Sequence, residues 1–169
     1  DGLDAPRHPY QQSFYVNDKY EAGDVVVSAG VRVDQFNMDD WQMADPTNPP
    51  WDESNQGVQD GGMKDSETKT SVQPRLGLAF PVSDKTVFHL QYGRYAQMPE
   101  LRRPWASTRY MHLVWGGQNY TPDPMGFNLD PIETTQYEVG FSYQFMPDAA
   151  FDMTAFAKNT TGQIVIAKL

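Results

Sequence analysis

Six segments of the sequence alternate apolar and polar residues, and a period of two is typical of a β-strand with one apolar face. The clearest segment runs from Thr134 to Phe145, where Tyr137 and Phe141 fall on one face and Glu138 on the other. The pattern is weakest in the first segment, because Asp18 shares a face with apolar neighbours. The alternation predicts six strands, near residues 10–20, 25–36, 72–80, 86–97, 134–145 and 150–158.

The connections between these segments are alternately short and long. Three are tight and rich in turn-forming residues, at 22–24, 81–85 and 146–149. Two are long, at 37–69 and 98–133, and each is more than twice the roughly 12 to 15 residues that a compact domain usually leaves without structure. All short turns therefore fall at one end of the strands. Outer-membrane barrels have this arrangement, with short periplasmic turns and long extracellular loops. We predict an all-β, antiparallel, up-and-down transmembrane β-barrel segment of about six strands.

In such a barrel the two faces of each strand have different surroundings. The polar face carries both signs of charge, which suits a hydrated or plugged lumen. The predicted lumen-facing residues are Arg32, Asp34, Arg75, His89, Glu138 and Asp152. The apolar face is aromatic near the strand ends, where barrels carry aromatic girdles. The predicted membrane-facing aromatic residues are Phe80, Phe88, Tyr92, Tyr137, Phe141, Tyr143 and Phe145.

Composition and charge exclude several other classes of protein. No run of residues approaches the 18 or more consecutive apolar residues of a membrane-spanning helix. The mean hydropathy of -0.63 does not argue against a barrel, because barrel strands alternate apolar and polar residues. A net charge of -9 without a run of Lys or Arg makes nucleic acid an unsuitable partner. The absence of cysteine excludes disulfides, thiolate metal sites and a cysteine nucleophile.

The two long loops contain all four tryptophans, together with tyrosines and arginines. These residue types dominate binding hot spots, so they are candidates for contact with a ligand. Packing between the loops, or a position at the membrane interface, would account for the same residues. The ligand-contact candidates are Trp41, Trp51, Arg102, Arg103, Trp105, Tyr110, Trp115 and Tyr120.

No catalytic residue, cofactor site or metal site is predicted. The three histidines lack the spacing of a compact metal site. His112 lies near Ser107 and Asp123 in sequence, with no spacing that implies contact, so an enzyme is not expected. The loop from Asp39 to Asp60 is rich in carboxylates but lacks the residue order of a recognised calcium loop. A solvated acidic loop is the default reading, and structural calcium remains the alternative.

Four motifs, in order along the chain, resemble those of TonB-dependent receptors. Residues 15–19 (YVNDK) are similar to the "Y-V-Q-D-K" strand of that family, and residues 74–84 (PRLGLAFPVSD) resemble its "PR-apolar-G-apolar-A-Y-P-V-T-D" strand and turn. Residues 92–99 (YGRYAQMP) resemble "YG-x-F-x-Q-x-P". Residues 128–140 (NLDPIETTQYEVG) resemble the family's "N-x-x-L-x-P-E-x-T-x-x-Y-E-x-G" return from a loop into the barrel, although Asp130 stands where the family usually has Lys.

The resemblance implies the barrel portion of a receptor in the outer membrane of a Gram-negative bacterium. Such a receptor imports a scarce ligand, for example a siderophore, cobalamin, a glycan or a peptide, with energy from the TonB complex. The resemblance also implies a plugged barrel of about 22 strands. Contacts with outer-membrane lipid and lipopolysaccharide follow from that location.

Six strands would be only about a quarter of that barrel. An open sheet would leave two edges unpaired in hydrocarbon, where each unsatisfied backbone group costs several kcal/mol. We therefore expect the remaining strands and the plug to come from the same polypeptide or from other chains. Residues 1–169 contain no candidate plug domain, so the TonB complex would be contacted only through that missing plug. The alternative is a structural β-sheet subunit that joins a larger membrane assembly through its strand edges.

Overall fold

Long antiparallel strands dominate the computed structural model, which describes residues 6–45, 47–48, 51–52, 57–58, 60–105 and 128–164. The strands are β1 (Tyr10–Ala22), β2 (Val25–Asn37), β3 (Trp41–Met43), β4 (Trp51–Asp52), β5 (Gly57–Val58), β6 (Met63–Asp65), β7 (Lys69–Ser83), β8 (Thr86–Gln97), β9 (Ile132–Met146) and β10 (Ala149–Thr161). A 3-10 turn at Asp60–Gly62 precedes β6, and residues 102–105 are helical. No helix in this described part of the chain is long and apolar enough to cross a membrane.

Six of these strands form a single sheet in the order β1-β2-β7-β8-β9-β10, and every neighbouring pair is antiparallel. The order in the sheet follows the order in the chain, so the predicted up-and-down meander of six strands is confirmed. Within the described residues, no strand pairs with the outer edge of β1 or of β10. The sheet is therefore open at both sides.

The tight turns are shorter than the sequence predicts. Strand β7 continues to Ser83, so the turn that the sequence places at 81–85 is only Asp84 and Lys85. The pairing register shifts between Pro81 and Ser83, where β7 has one residue more than β8, as in a β-bulge. A second shift beside Ala149 accompanies the turn at 147–148. Bulges increase local twist without interrupting the strand, and the alternation pattern did not reveal them.

The first long connection, residues 38–68, has structure of its own. Strand β3 pairs with β6, and β4 pairs with β5. The buried hydrophobic side chains of the described residues lie in or beside this connection: Phe36, Met38 and Met63. The described residues of this connection therefore form two short strand pairs of their own.

The register places one apolar row after another on the same face of the sheet. Phe80, Phe88 and Phe141 lie opposite one another on β7, β8 and β9, with ring centroids 6.2 and 5.6 Å apart. The next row on this face contains Leu78, Leu90 and Val139. We call this surface the apolar face, and the opposite surface the polar face.

The apolar face is not covered by the described part of the chain. Leu76 is 54% exposed, Phe151 50% and Phe14 64%. Soluble monomers rarely expose a contiguous apolar surface of this extent. An exposed apolar surface of this kind is typical of a face that contacts another protein or a membrane.

Candidate functional site

The hydrogen-bond ladder between β7 and β8 stops part of the way along the strands. Strand β7 pairs with β2 up to Lys69, but its pairing with β8 ends at Arg75. The next residue, Pro74, has no backbone N–H and cannot donate to a ladder. Backbone groups beyond this point need side-chain partners instead. Side chains from β2, β7, β8 and β9 converge there.

Gln73 bridges the interruption. Its side-chain Nε2 donates to Asp34 Oδ2 at 2.5 Å, and the backbone N of Ala96 on β8 donates to its Oε1 at 3.2 Å. Asp34 also accepts from Arg32 Nε at 2.9 Å, and Arg32 Nη2 donates to Ser13 Oγ at 2.9 Å. Gln73 and Asp34 are almost completely buried, at 2% and 3% exposure. This network connects β1, β2, β7 and β8 through side chains.

Glu133 makes a second connection at the same end of the sheet. Its carboxylate accepts from Ser71 Oγ at 2.8 Å and forms an ion pair with Arg94. Lys69 Nζ lies 2.7 Å from Asp130 Oδ1, which joins β7 to the segment before β9. Together these contacts fix where the second long connection returns to the sheet.

The first long connection is held at this end by its aromatic and amide side chains. The guanidinium of Arg7 lies 5.7 Å from the centroid of the Trp41 ring, and Trp105 Nε1 donates to the carbonyl of Met38 at 3.1 Å. Gln42 Nε2 donates to Glu67 Oε1 at 3.2 Å. This hydrogen bond, assisted by the nearby Lys64, lowers the pKa of Glu67. The loops thus pack against each other through specific contacts.

A cavity of about 440 Å³ opens beside these loops. Its apolar lining includes Met98, Pro99 and Ile132, and its charged lining includes Glu100 and Arg103. Arg103 Nε lies 3.6 Å from Glu100 Oε2. Ligand pockets have this combination of an apolar wall with a few polar groups, and volumes of about 300 to 1,000 Å³.

The structure separates the predicted ligand-contact residues into three groups. Trp41 and Trp105 pack loops together, as the alternative interpretation in the sequence analysis expected, while Arg103 lines the cavity. Arg102 is exposed and lies outside the cavity lining. Contact of any of these residues with a ligand remains a prediction. Of the other candidates, the side chain of Trp51 lies outside the described residues, as do Tyr110, Trp115 and Tyr120.

The predicted lumen-facing residues share the polar face. Strand pairing and alternation place all six of them on that side, and all seven predicted membrane-facing aromatic residues on the apolar face. On the polar face His89 Nε2 lies 3.3 Å from Thr154 Oγ1, and Asp152 accepts a hydrogen bond from Ser142. That these two faces meet a lumen and lipid remains a prediction.

Several residues of this region escaped the sequence analysis. The interrupted ladder is filled by the side chains of Gln73, Ser71 and Glu133. A proline inside a strand pattern, Pro74, is the signal that could have located the interruption.

Phe156 breaks the alternation of β10, because it lies on the polar face beside Lys158. The Nζ of Lys158 is 5.3 Å from the centroid of the Phe156 ring.

The described residues bring no three His, Asp or Glu side chains together in a way that could hold a metal ion. Part of the acidic loop has a structural partner instead, since Arg7 Nη2 lies 3.6 Å from Asp40 Oδ1. The sequence set His112, Ser107 and Asp123 lies outside the described residues.

Comparison with known proteins gives one family and one fold. The family model of TonB-dependent receptor-like β-barrels matches residues 2–168. No curated protein matches the sequence. A solved structure of a double mutant of the Serratia marcescens hemophore receptor HasR, in complex with its hemophore HasA and heme, is similar at 15% identity and a TM-score of 0.55. The similarity covers 90% of this chain and 25% of the receptor chain, so this chain spans about a quarter of the receptor's length.

Proposed function

Because this chain belongs to the family of TonB-dependent receptor-like β-barrels, we propose that it is the barrel portion of a receptor that takes up a scarce ligand across the outer membrane of a Gram-negative bacterium. The family is a class of transport receptors and not of enzymes. The proposed ligand classes are siderophores, cobalamin, glycans and peptides. Heme joins this set because the similar HasR structure holds it.

The uncovered apolar face is the observation that carries this proposal. Its rows of Phe, Leu and Val side chains are half-buried or exposed, with Leu90 at 40% and Val139 at 46% exposure, while the opposite face is polar and charged. A lipid bilayer on one side and a hydrated or plugged lumen on the other would satisfy both faces at once. The six strands of the sheet have 12 to 15 residues, more than the roughly 9 to 11 that a tilted strand needs to cross a bilayer.

The free edges of β1 and β10 support a larger barrel that further strands complete. Backbone groups along a free edge are unsatisfied in hydrocarbon, which costs several kcal/mol for each group. We propose that strands and a plug of the same receptor complete the structure. The TonB complex would then act on that plug.

The same free edges favour one alternative, a structural subunit whose sheet is completed by other chains. An antibody against the β1–β2 hairpin, applied to a denaturing gel of outer membranes, separates the two. A band several times larger than 19.2 kDa supports the receptor, and a band at 19.2 kDa supports the subunit.

The loop end of the sheet is the proposed extracellular, ligand-facing side. Its cavity combines an apolar wall with the charged side chains of Arg103, Glu100 and Asp130, which suits a ligand that has polar groups on a carbon skeleton. Trp41, Trp105 and Arg102 would shape this surface. The turns at 23–24, 84–85 and 147–148 would then face the periplasm.

Growth under nutrient limitation tests the proposed function. The full-length gene is expressed in strains with and without TonB, and each strain receives one limiting nutrient from a panel of ferric siderophores, heme, cobalamin and oligosaccharides. Growth that needs both the gene and TonB on one member of the panel supports a receptor. Growth on none, with the protein verified in the outer membrane, contradicts it.

Two matched variants then test the cavity. Arg103→Ala removes a cation that lines the cavity, whereas Arg102→Ala removes its exposed neighbour, which does not line it. We expect the first variant to weaken binding of the active nutrient by roughly tenfold and the second by less than about threefold. Equal effects of the two variants on nutrient binding would show that the cavity is not part of the ligand site.

A further inference from the structure

Strand pairing fixes only the base of the cavity of about 440 Å³ at the loop end of the sheet. The β8–β9 ladder ends where Gln97 pairs with Ile132, and both residues line the cavity. One wall, within residues 98–103, leaves β8, and another, at Asp130, leads into β9. We call them the leaving wall and the returning wall. Because both walls lie beyond the ladder, contacts other than strand pairing set the distance between them.

The leaving wall is a short turn that a tryptophan attaches to another part of the chain. The backbone N of Arg103 donates to the carbonyl of Glu100 at 3.0 Å, so these two lining residues belong to one turn. Trp105 continues the turn, since its backbone N donates to the carbonyl of Leu101 at 3.4 Å. The indole Nε1 of Trp105 donates to the carbonyl of Met38 at 3.1 Å. Trp105 therefore ties the leaving wall to the first long connection.

The returning wall is attached to the start of β7 and to the first long connection. Lys69 Nζ lies 2.7 Å from Asp130 Oδ1, and the Lys69 side chain is 19% exposed. A mostly buried lysine side chain has few conformations, so this pair is held more firmly than one between two exposed side chains. Asn128, two residues before Asp130, donates from Nδ2 to Oε1 of the buried Gln42. Two side chains thus hold the returning wall.

The attachments of Trp105 and Lys69 start from one well-ordered part of the sheet. Met38 directly follows β2, and Lys69 is the first residue of β7. The two strands stay paired up to Phe36 and Lys69. Phe36 and Met38 are almost completely buried, at 4% and 2% exposure. The paired ends of β2 and β7, which we call the platform, therefore contact both walls of a cavity that lies across the β7–β8 interruption.

We propose that Trp105 and Lys69 are positioning residues of the ligand cavity: through them the platform sets how far the leaving wall lies from the returning wall. The inference rests on the receptor function proposed above, because it assigns both residues to the ligand site of that receptor. Neither side chain lines the cavity, so each acts through the wall that it holds. A ligand binds more tightly between walls that are already in place, because less ordering is then needed at binding.

Hydrogen exchange measured by mass spectrometry on the full-length protein in lipid vesicles tests the leaving wall without any ligand. Trp105→Phe removes the indole N–H and keeps an aromatic ring, so exchange in residues 98–105 should become roughly three- to tenfold faster. Trp41→Phe is the matched control, because Trp41 Nε1 is buried without a hydrogen-bond partner among the described residues. The control should leave exchange in residues 98–105 unchanged, and an equal effect of the two variants would overturn the inference.

Lys69→Met tests the returning wall in the same experiment. It removes the ammonium and keeps a long side chain, so exchange in residues 128–133 should become roughly two- to fivefold faster. Lys64→Met is the matched control, because Lys64 lies 3.6 Å from Glu67 in an ion pair of the first long connection and does not line the cavity. Lys69→Arg, which keeps the charge, should exchange as the wild type does. Unchanged exchange in both Trp105→Phe and Lys69→Met would overturn the inference.

A double-mutant cycle separates positioning from a general loss of stability. Trp105→Phe alone should weaken binding of the nutrient that supports growth by roughly three- to tenfold. In the Arg103→Ala background it should weaken binding further by less than about twofold, because the wall that Trp105 holds no longer presents that cation. Additive effects of the two substitutions on binding would contradict a positioning role. Growth on no nutrient would refute the proposed function separately, since the exchange measurements need no ligand.

Discussion

Replacing Gln73 with leucine should open the β7–β8 interruption. Gln73 Nε2 donates to the carboxylate of Asp34 at 2.5 Å, and Gln73 Oε1 accepts from the backbone N of Ala96 at 3.2 Å. A hydrogen bond to a charged group contributes about 1.5 to 3 kcal/mol, and an unsatisfied, part-buried N–H costs about 1 kcal/mol or more. Gln73→Leu should therefore lower the local stability by about 2.5 to 4 kcal/mol. Gln11→Leu is the control, because Gln11 is exposed on the same face at the same end of the sheet.

Native-state hydrogen exchange at the amide of Ala96 measures this effect directly, because it reports local opening of the structure. In the full-length protein in lipid vesicles, Gln73→Leu should speed exchange at Ala96 by at least fiftyfold, by the conversion of about 1.4 kcal/mol for each factor of ten. Gln11→Leu should change the stability by less than about 0.5 kcal/mol. Equal exchange at Ala96 in the two variants would refute the view that a side chain replaces the missing ladder.

Three further predictions follow from individual contacts. Gly140→Ala should destabilise the sheet by about 1 to 3 kcal/mol in urea unfolding, because the new Cβ would lie 2.6 Å from a backbone carbonyl of β10; Gly61→Ala, with open space around it, should be neutral. Trp105→Phe should weaken the contact between the loops by about 1 kcal/mol, and limited proteolysis should cleave residues 38–68 faster. NMR titration should find the pKa of Glu67 below its ordinary value, and Gln42→Leu should bring that pKa closer to the ordinary value. The contact between Gln42 and Glu67 therefore stabilises the loop at pH values above the ordinary pKa, and this stabilisation is lost as the pH falls through the lowered pKa.

The strands could be predicted from sequence because their order depends on a local signal. Alternation identifies both the strand and its two faces, as Val139 and Glu138 show on β9. Two strands joined by a short turn can pair only in the antiparallel direction. The bulges beside Pro81 and Ala149 could not be predicted in the same way. A bulge changes pairing between strands while each strand keeps its own pattern.

The candidate site was less accessible to sequence analysis, since its residues meet across distant parts of the chain. Ser71 and Glu133 are 62 positions apart, and Trp105 and Met38 are 67 apart. Residue types alone could not show that Trp41 and Trp105 contact other segments of the chain, and their contact with a ligand stays a prediction. Only Pro74, inside a strand pattern, indicated where the ladder would need side chains.

We expect the apolar face to meet lipid and the polar face to meet the lumen. The chain has no cysteine, so a cysteine introduced at a chosen position of the sheet carries the only nitroxide label within residues 1–169. In the full-length protein in lipid bilayers, labels at Leu90, Val139 and Phe141 should collide readily with oxygen, which concentrates in lipid. Labels at His89, Glu138 and Ser142 should not. The reverse pattern, or equal accessibility of the two sets, would contradict the account.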